Sequence, residues 1–316
     1  MTGAAPYARA ELIEDGGAAA ASIDFFRSPQ FLAAEGATHT LRIETDEGAE
    51  LLAPLLVRAI GAGPERDATS PYGFPGLAAP AGVVVDPAAV DFSATGLVSA
   101  FFRHRLGAPP PLVGATPRNV VEIADPALPR KSRPSDRRQI RRNLENGYRV
   151  ELIHGSETSE AHRAGFVDLY EQTMRRAEAA DHYFFGRSYF DQVLVADRTW
   201  LALATDPEGA LAAASLATVS DGYLHYYLSG SADAHLADSP MKNVVALLVD
   251  HAEELGMPLN LGGGISRGDA LEEFKRGFAN REEQWTTSEV VCDPAAYERL
   301  SAGCDAGGYF PAYRVP

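Results

Sequence analysis

The sequence predicts an α/β (α+β) fold built from two related halves, each a mixed twisted sheet flanked by helices. Three observations carry this reading. A chain of 316 residues is long enough for two compact domains of about 150 residues, each with its own core. The stretch Leu41-Arg-Ile-Glu-Thr-Asp-Glu-Gly-Ala-Glu-Leu51 resembles Leu201-Ala-Leu-Ala-Thr-Asp-Pro-Glu-Gly-Ala-Leu211 in its Leu-x-(Ile/Leu)-x-Thr-Asp start, its Glu-Gly-Ala and its following leucine. Each reads as a strand, a tight Asp/Gly turn and a second strand. Finally, the second half runs in the order helix, three-strand meander, helix, strand, helix, strand.

Taken in order, a helical stretch is expected at roughly Ser22–Ala34, before the first hairpin. Residues 108–134 carry Pro109, Pro110, Pro111, Pro117, Pro126, Pro129 and Pro134 and read as a connector. The expected domains are therefore 1–129 and 130–316. A basic helix follows from about Pro134 to Asn146, stopped by Gly147, with proline tolerated in the first turn. Ile140 and Leu144 define its buried stripe, Arg137 and Arg141 flank that stripe, and Arg138 and Arg142 lie further round. A second helical stretch, His162–Ala179, precedes the second hairpin. Asp221-Gly222 is a strong hairpin signal leading into the strand Tyr223–Ser229. The next helix is expected to be capped by Ser239, to start at Pro240, to bury Met241, Val244, Val245, Leu248, Ala252 and Leu255, and to stop at Gly256.

Composition narrows the function classes. The chain is 46% hydrophobic and 22% charged, as in ordinary soluble globular proteins. No apolar run approaches the ~18–20 residues of a membrane span, and Glu11, Glu14 and Asp15 argue against a signal peptide. Cys292 and Cys304 make neither a disulfide framework nor a metal cluster, so a cytoplasmic protein without metal or cofactor is expected. The net charge of −15 argues against broad nucleic-acid binding. Yet Arg130, Lys131, Arg133, Arg137, Arg138, Arg141 and Arg142 gather seven of the 28 basic residues around a single acid, Asp136. That is a local anion-seeking patch on an acidic body; the plain alternative is a solvated helix face.

The most informative segment is Asn260-Leu-Gly-Gly-Gly-Ile-Ser-Arg-Gly-Asp-Ala-Leu-Glu-Glu-Phe-Lys-Arg-Gly-Phe278. A short apolar strand runs into three glycines, and a helix opens at Asp269, with Glu272 placed to complete a capping box. At about 100° per residue, Leu271, Phe274 and Phe278 share a face, and Lys275 falls inside that arc. A lysine on the packed side of a helix, beside a glycine-lined strand end, is a candidate active-site cation; the alternative is a lysine whose stem covers the core while its ammonium reaches water. The order Gly-Gly-Gly, short spacer, Asp-x-Leu-x-x-Phe-Lys-x-x-Phe resembles the C-terminal signature of the Fem-type branch of the GNAT acyltransferase superfamily, which comprises peptidoglycan-bridge aminoacyltransferases and stand-alone relatives in natural-product assembly. The signature covers about twenty residues, and the element order of the second half is that of a GNAT domain. Tandem GNAT-like domains are the implied architecture.

The resemblance implies amide formation, in which an amine of a peptidoglycan precursor or natural-product scaffold attacks an aminoacyl-tRNA ester. Lys275 would stabilise the developing oxyanion, Phe274 would wall the site, and Gly263 and Gly264 (with Gly262) would let a substrate approach the backbone. An unperturbed lysine, with a pKa of about 10.4, is a better cation than general base. The resemblance also assigns Tyr72, in Ser70-Pro-Tyr-Gly-Phe-Pro-Gly76, to the acceptor groove and Tyr226 to substrate contact. Read without it, these are a Pro/Gly turn and a half-buried sheet aromatic. Arg137 and Arg141 are candidate ligands for an anionic substrate.

Competing motifs fare worse. Gly264-Ile-Ser-Arg-Gly268 matches the Gly-x-Ser-x-Gly nucleophile elbow, but all eight histidines precede Ser266, against the order such a triad needs. Arg58-Ala-Ile-Gly-Ala-Gly63 matches the letters of a CoA pyrophosphate loop, but Pro64-Glu-Arg-Asp-Ala-Thr-Ser-Pro71 follows, leaving no helix N-terminus for an anion. In the second half, Ser229–Asp238 lacks the loop and carries two acids. An acyl-CoA donor is thus the secondary expectation, and a catalytically inactive binding module of the same fold is the alternative from another class.

Overall fold

The computed structural model describes residues 7–264, 266 and 268–315; Ile265 and Arg267 of the Gly-x-Ser-x-Gly segment lie outside the described residues. The chain forms two compact units, one of Met1–Arg118 with Gln284–Pro316 and one of Asn119–Glu283.

The first unit begins with β1 (Ala8–Ile13), α1 (Pro29–Glu35), β2 (His39–Thr45), β3 (Glu50–Ala59), β4 (Arg66–Thr69), β5 (Val90–Asp91) and β6 (Leu97–Arg103). The expected stretch Ser22–Ala34 resolves into a 3-10 turn at Phe25–Arg27 and then α1, because Ser28 caps the new helix through Phe31 N at 3.2 Å and Pro29 opens it. On β2, Leu41 and Ile43 point into a core with Leu51, Leu55 and Phe102, the period-2 pattern of a half-buried strand. Between β4 and β6 the described residues contain 3-10 turns and no α-helix.

The second unit contains β7 (Thr116–Ala124, from Asn119 onward), α2 (Pro134–Glu145), β8 (Arg149–His154), α3 (Glu160–Arg176), α4 (Arg187–Val193), β9 (Thr199–Thr205), β10 (Leu211–Ser220), β11 (Tyr223–Ser231), α5 (Met241–Leu255), β12 (Leu259–Gly262) and α6 (Ala270–Arg276). α5 packs Val244, Val245, Leu248, Val249 and Ala252 against Ala202, Ala204, Ala213 and Ala217 of the central strands, whose small side chains let the helix lie close. Its start differs from expectation. Pro240 is the N-cap, and Ser239, at φ 50, turns its hydroxyl to Leu236 O at 3.2 Å. The stretch 108–134 is not a plain connector either. Asn119-Val-Val-Glu-Ile-Ala124 lies between Pro117 and Pro126 and forms most of β7.

The remaining elements, β13 (Arg281–Val291, from Gln284 onward) and α7 (Pro294–Ser301), complete the first unit. Both units then show one pairing scheme. In the first, β1–β2–β3–β4 is an antiparallel meander, β4 runs parallel to β6, and β6 pairs antiparallel with β13. In the second, β8–β9–β10–β11 is the meander, β11 runs parallel to β12, and β12 pairs antiparallel with β7. Each unit therefore takes its last strand from the far side of the expected boundary at residues 129/130. β7 follows β6 in sequence but serves the second unit, and residues 284–316 group with the first. No helix among the described residues is long and apolar enough to cross a membrane.

Candidate active site

The site is built where β12 ends. Leu259 and Asn260 pair with Leu224 and His225 of β11 on one side, and Gly262 pairs with Glu122 of β7 on the other. Gly262 then leaves the strand at φ 77, a conformation open to glycine. A Cβ on Gly263 would stand 2.8 Å from Val120 O, and one on Gly264 2.5 Å from Asp269 Oδ1, so the turn must be glycine to fit. α6 opens as the sequence predicts, with Asp269 Oδ1 accepting from Glu272 N at 2.7 Å. The Glu272 carboxylate reaches back one residue further than a capping box requires, to Gly268 N at 2.8 Å.

Lys275 is 8% exposed. Its Nζ donates to Gly263 O at 2.6 Å and lies 3.0 Å from where a Gly262 Cβ would be. Burial pulls its pKa from 10.5 down to about 8, with Asp269 and Glu122 acting in the opposite direction. Lys275 therefore gives up its proton more readily than the unperturbed lysine assumed from sequence. The packed face of α6 also differs from the apolar stripe. Leu271 is 39% exposed, while Glu272 and Lys275 are buried. The cause is a charge network: Arg276 bonds Glu272, Glu273 at 2.8 Å and the buried Glu122 at 3.3 Å. Burial raises the Glu122 carboxyl above its usual range, and Arg276 opposes that rise.

Of the sequence-predicted residues, Lys275, Gly263 and Gly264 come together. Phe274 is half-buried on the second unit's core, 5.8 Å from the Phe278 ring. Tyr226 packs on the same core and bonds Ser229 Oγ at 2.6 Å, and burial pushes its phenol up to about 12. Tyr72 belongs to the first unit, where its N–H donates to Glu35 at 2.9 Å and the Arg103 guanidinium sits 5.3 Å from its ring. Arg137 and Arg141 are exposed, and Arg137 donates to Ser132 O. The buried face of α2 is not the Ile140–Leu144 stripe, since Leu144 is 49% exposed. Polar anchoring explains it: Asp136 pairs with Lys242 at 2.9 Å, and Asn143 donates to Asn243 at 2.8 Å and Asp238 O at 2.9 Å.

Sequence reasoning missed Glu122, Asn260 and His225. Each is a polar residue inside an apolar strand run (Val-Val-Glu-Ile, Leu-Asn-Leu, Tyr-Leu-His-Tyr), a pattern that signals a paired buried group. The letters of the CoA loop, Arg58–Gly63, span the connection from β3 to β4 and open a strand. Ahead of α5, Asp238 and His235 both bond Tyr148 Oη, at 3.0 and 2.9 Å. Among the described residues, no three His, Cys, Asp or Glu side chains are grouped to hold a metal.

Residues 130–276 match the model of the acetyltransferase (GNAT) domain family. Among curated proteins, none matches the sequence significantly. The fold is similar to that of FemX, with a TM-score of 0.55 at 12% identity over 82% of this chain and 90% of that one. It is also similar to the C-terminal domain of a putative lysylphosphatidylglycerol synthetase from Agrobacterium fabrum (0.55, 13%, 89% and 92%). L-PGS from Bacillus licheniformis gives 0.54 at 12% identity over 84% and 87%. Residues 130–276 are thus a GNAT acetyltransferase domain, in a chain that shares its fold with FemX and the lysylphosphatidylglycerol synthetase domain.

Proposed function

We propose that this protein is an acyltransferase that forms an amide bond by passing an aminoacyl group from aminoacyl-tRNA to an amine of a peptidoglycan precursor or a small natural-product scaffold. The observation that carries the reading is the buried Lys275 ammonium, held on the carbonyl of a glycine turn at the end of a parallel strand. The acceptor amine attacks the ester carbonyl carbon, and the π electrons move to oxygen. Lys275, protonated below about pH 8, stabilises that oxyanion. When the carbonyl reforms, the ribose oxygen leaves and needs a proton, while the attacking nitrogen must lose one. A lysine with proton affinity near neutrality serves both transfers, which a lysine titrating at 10.5 would not.

Two features support tRNA over CoA as donor. The region ahead of α5 places the Asp238 carboxylate, bonded by the Tyr148 phenol, where a pyrophosphate would have to sit, and α2 offers the exposed Arg137, Arg138, Arg141 and Arg142. A screen of charged tRNA pools and acyl-CoAs against amine acceptors, read by mass spectrometry, tests the assignment. Aminoacyl transfer that ribonuclease abolishes is the expected outcome. Turnover on an acyl-CoA in nuclease-treated protein would overturn the donor.

A further inference from the structure

Two deeply buried polar groups near the glycine turn take no part in the chemistry above. Asn260 is 3% and His225 2% exposed, and they face each other across the parallel β11/β12 pair. Their bonding order is determined by what each partner can do. Gly262 N–H donates to Asn260 Oδ1 at 2.8 Å, so the other end of that amide, Nδ2, faces His225 Nδ1 at 3.0 Å. His225 Nε2 lies 3.2 Å from Ser220 O, which can only accept. Nε2 therefore carries the proton, and Nδ1 accepts from Asn260.

A hydrogen-bonded chain runs from Ser220 O through His225 and Asn260 to the Gly262 N–H, and two peptide units further along the turn the Gly263 carbonyl holds Lys275 at 2.6 Å. Gly262 sits at φ 77, and no side chain at 262–264 can anchor the turn, so the Asn260 bond supplies an anchor that the turn's own residues lack. The Val120 carbonyl closes the other side of Gly263. We propose that His225 and Asn260 are positioning residues for Lys275, fixing the peptide that receives its ammonium. This rests on the reading of Lys275 as the catalytic amine, but it is tested without turnover.

The chain has three lysines, Lys131, Lys242 and Lys275. Lysine labelled with carbon-13 at Cε therefore gives three signals in the full chain, assignable by single substitutions. Wild-type Lys275 is expected to titrate near 8. In Asn260→Leu the freed turn lets water reach the ammonium, and its midpoint should rise by about one unit or more, because burial is what depresses it. His225→Leu should do the same. His225→Asn, which keeps an acceptor for the Asn260 amide, should stay within about 0.3 unit of wild type. The signal of Lys242, whose ammonium pairs with the buried Asp136 at 2.9 Å, reports whether each variant is folded, and if Asn260→Leu is not, the two His225 variants carry the comparison. A wild-type midpoint in folded His225→Leu, or the same shift in His225→Asn as in His225→Leu, would overturn the proposal. Where a transfer assay is in hand, Asn260→Leu should lower kcat with donor KM unchanged, and should add nothing in a Lys275→Met background. Normal turnover in Lys275→Met would instead sink the functional reading and leave the coupling of His225 and Asn260 to Lys275 standing.

Discussion

Lys275 is a costly residue to bury, and that cost gives it observable signatures. Its charged form is disfavoured in the fold, so between about pH 8 and 10.5 the unfolded chain binds a proton that the native chain does not. Stability from this group therefore rises with pH across that window and is lowest below it. Over the whole window the gain is about 3 kcal/mol. Denaturant unfolding of wild type and Lys275→Met at pH 7.5 and pH 10 should show it, with the rise absent from the variant. Methionine keeps the stem and deletes the charge. Turnover in Lys275→Met should fall by about 10²–10³-fold, the loss of one oxyanion-stabilising contact, while the fold persists by circular dichroism. In wild type the rate should decline as pH climbs through about 8 and the ammonium is lost. A rate that keeps increasing past pH 9 would assign the cationic role elsewhere.

At the scale of elements, periodic segments were legible and polar packing was not. The hairpins β2–β3 and β9–β10, the helix α5 and its Gly256 stop follow from apolar spacing and turn residues. α2 and α6 were placed correctly along the chain but with a misjudged buried face. Hydropathy cannot anticipate that Asp136 and Asn143 are satisfied by Lys242 and Asn243, or that Arg276 shelters Glu272 and Glu122. The exchange of β7 and β13 between units was invisible because strand partners are chosen over long range and no local pattern names them. Two substitutions test these contacts. Asn143→Leu leaves the buried Asn243 amide short of a partner and should cost about 1–3 kcal/mol in chemical unfolding. Gly263→Ala drives a methyl to 2.8 Å from Val120 O and should cost about 1–3 kcal/mol as an overpacking change. An unchanged midpoint in Gly263→Ala would mean that the turn is looser than its geometry indicates.

The molecule as a whole is acidic, with a formal charge of −15, so any polyanion must be met by a local surface. The exposed arginines of α2 are that surface in the proposed mechanism. Binding of charged tRNA should weaken in Arg137→Ala and Arg141→Ala, and log K should fall with log salt at a shallow slope of about −2 to −4. Equal insensitivity of Arg137, Arg138, Arg141 and Arg142 to alanine would make the patch a solvated face. A separate acid limit comes from the first unit. Burial pushes His104, bonded to Ser288 at 2.7 Å, down to about 4. Between pH 6.5 and about 4 the unfolded chain takes up a proton that the fold refuses, so stability falls as pH drops through that range. Its full extent is about 3 kcal/mol, and His104→Gln should flatten that limb of the stability curve.

One measurement tests the proposed function most directly: transfer of an isotopically labelled aminoacyl group from a charged tRNA pool to amine acceptors, read by mass spectrometry for wild type and Lys275→Met side by side. The expected result is a labelled amide product from wild type that vanishes with ribonuclease and drops by about 10²–10³-fold in the variant. No amide product from any tRNA or acyl-CoA donor with folded wild-type protein, or undiminished product with Lys275→Met, would contradict it.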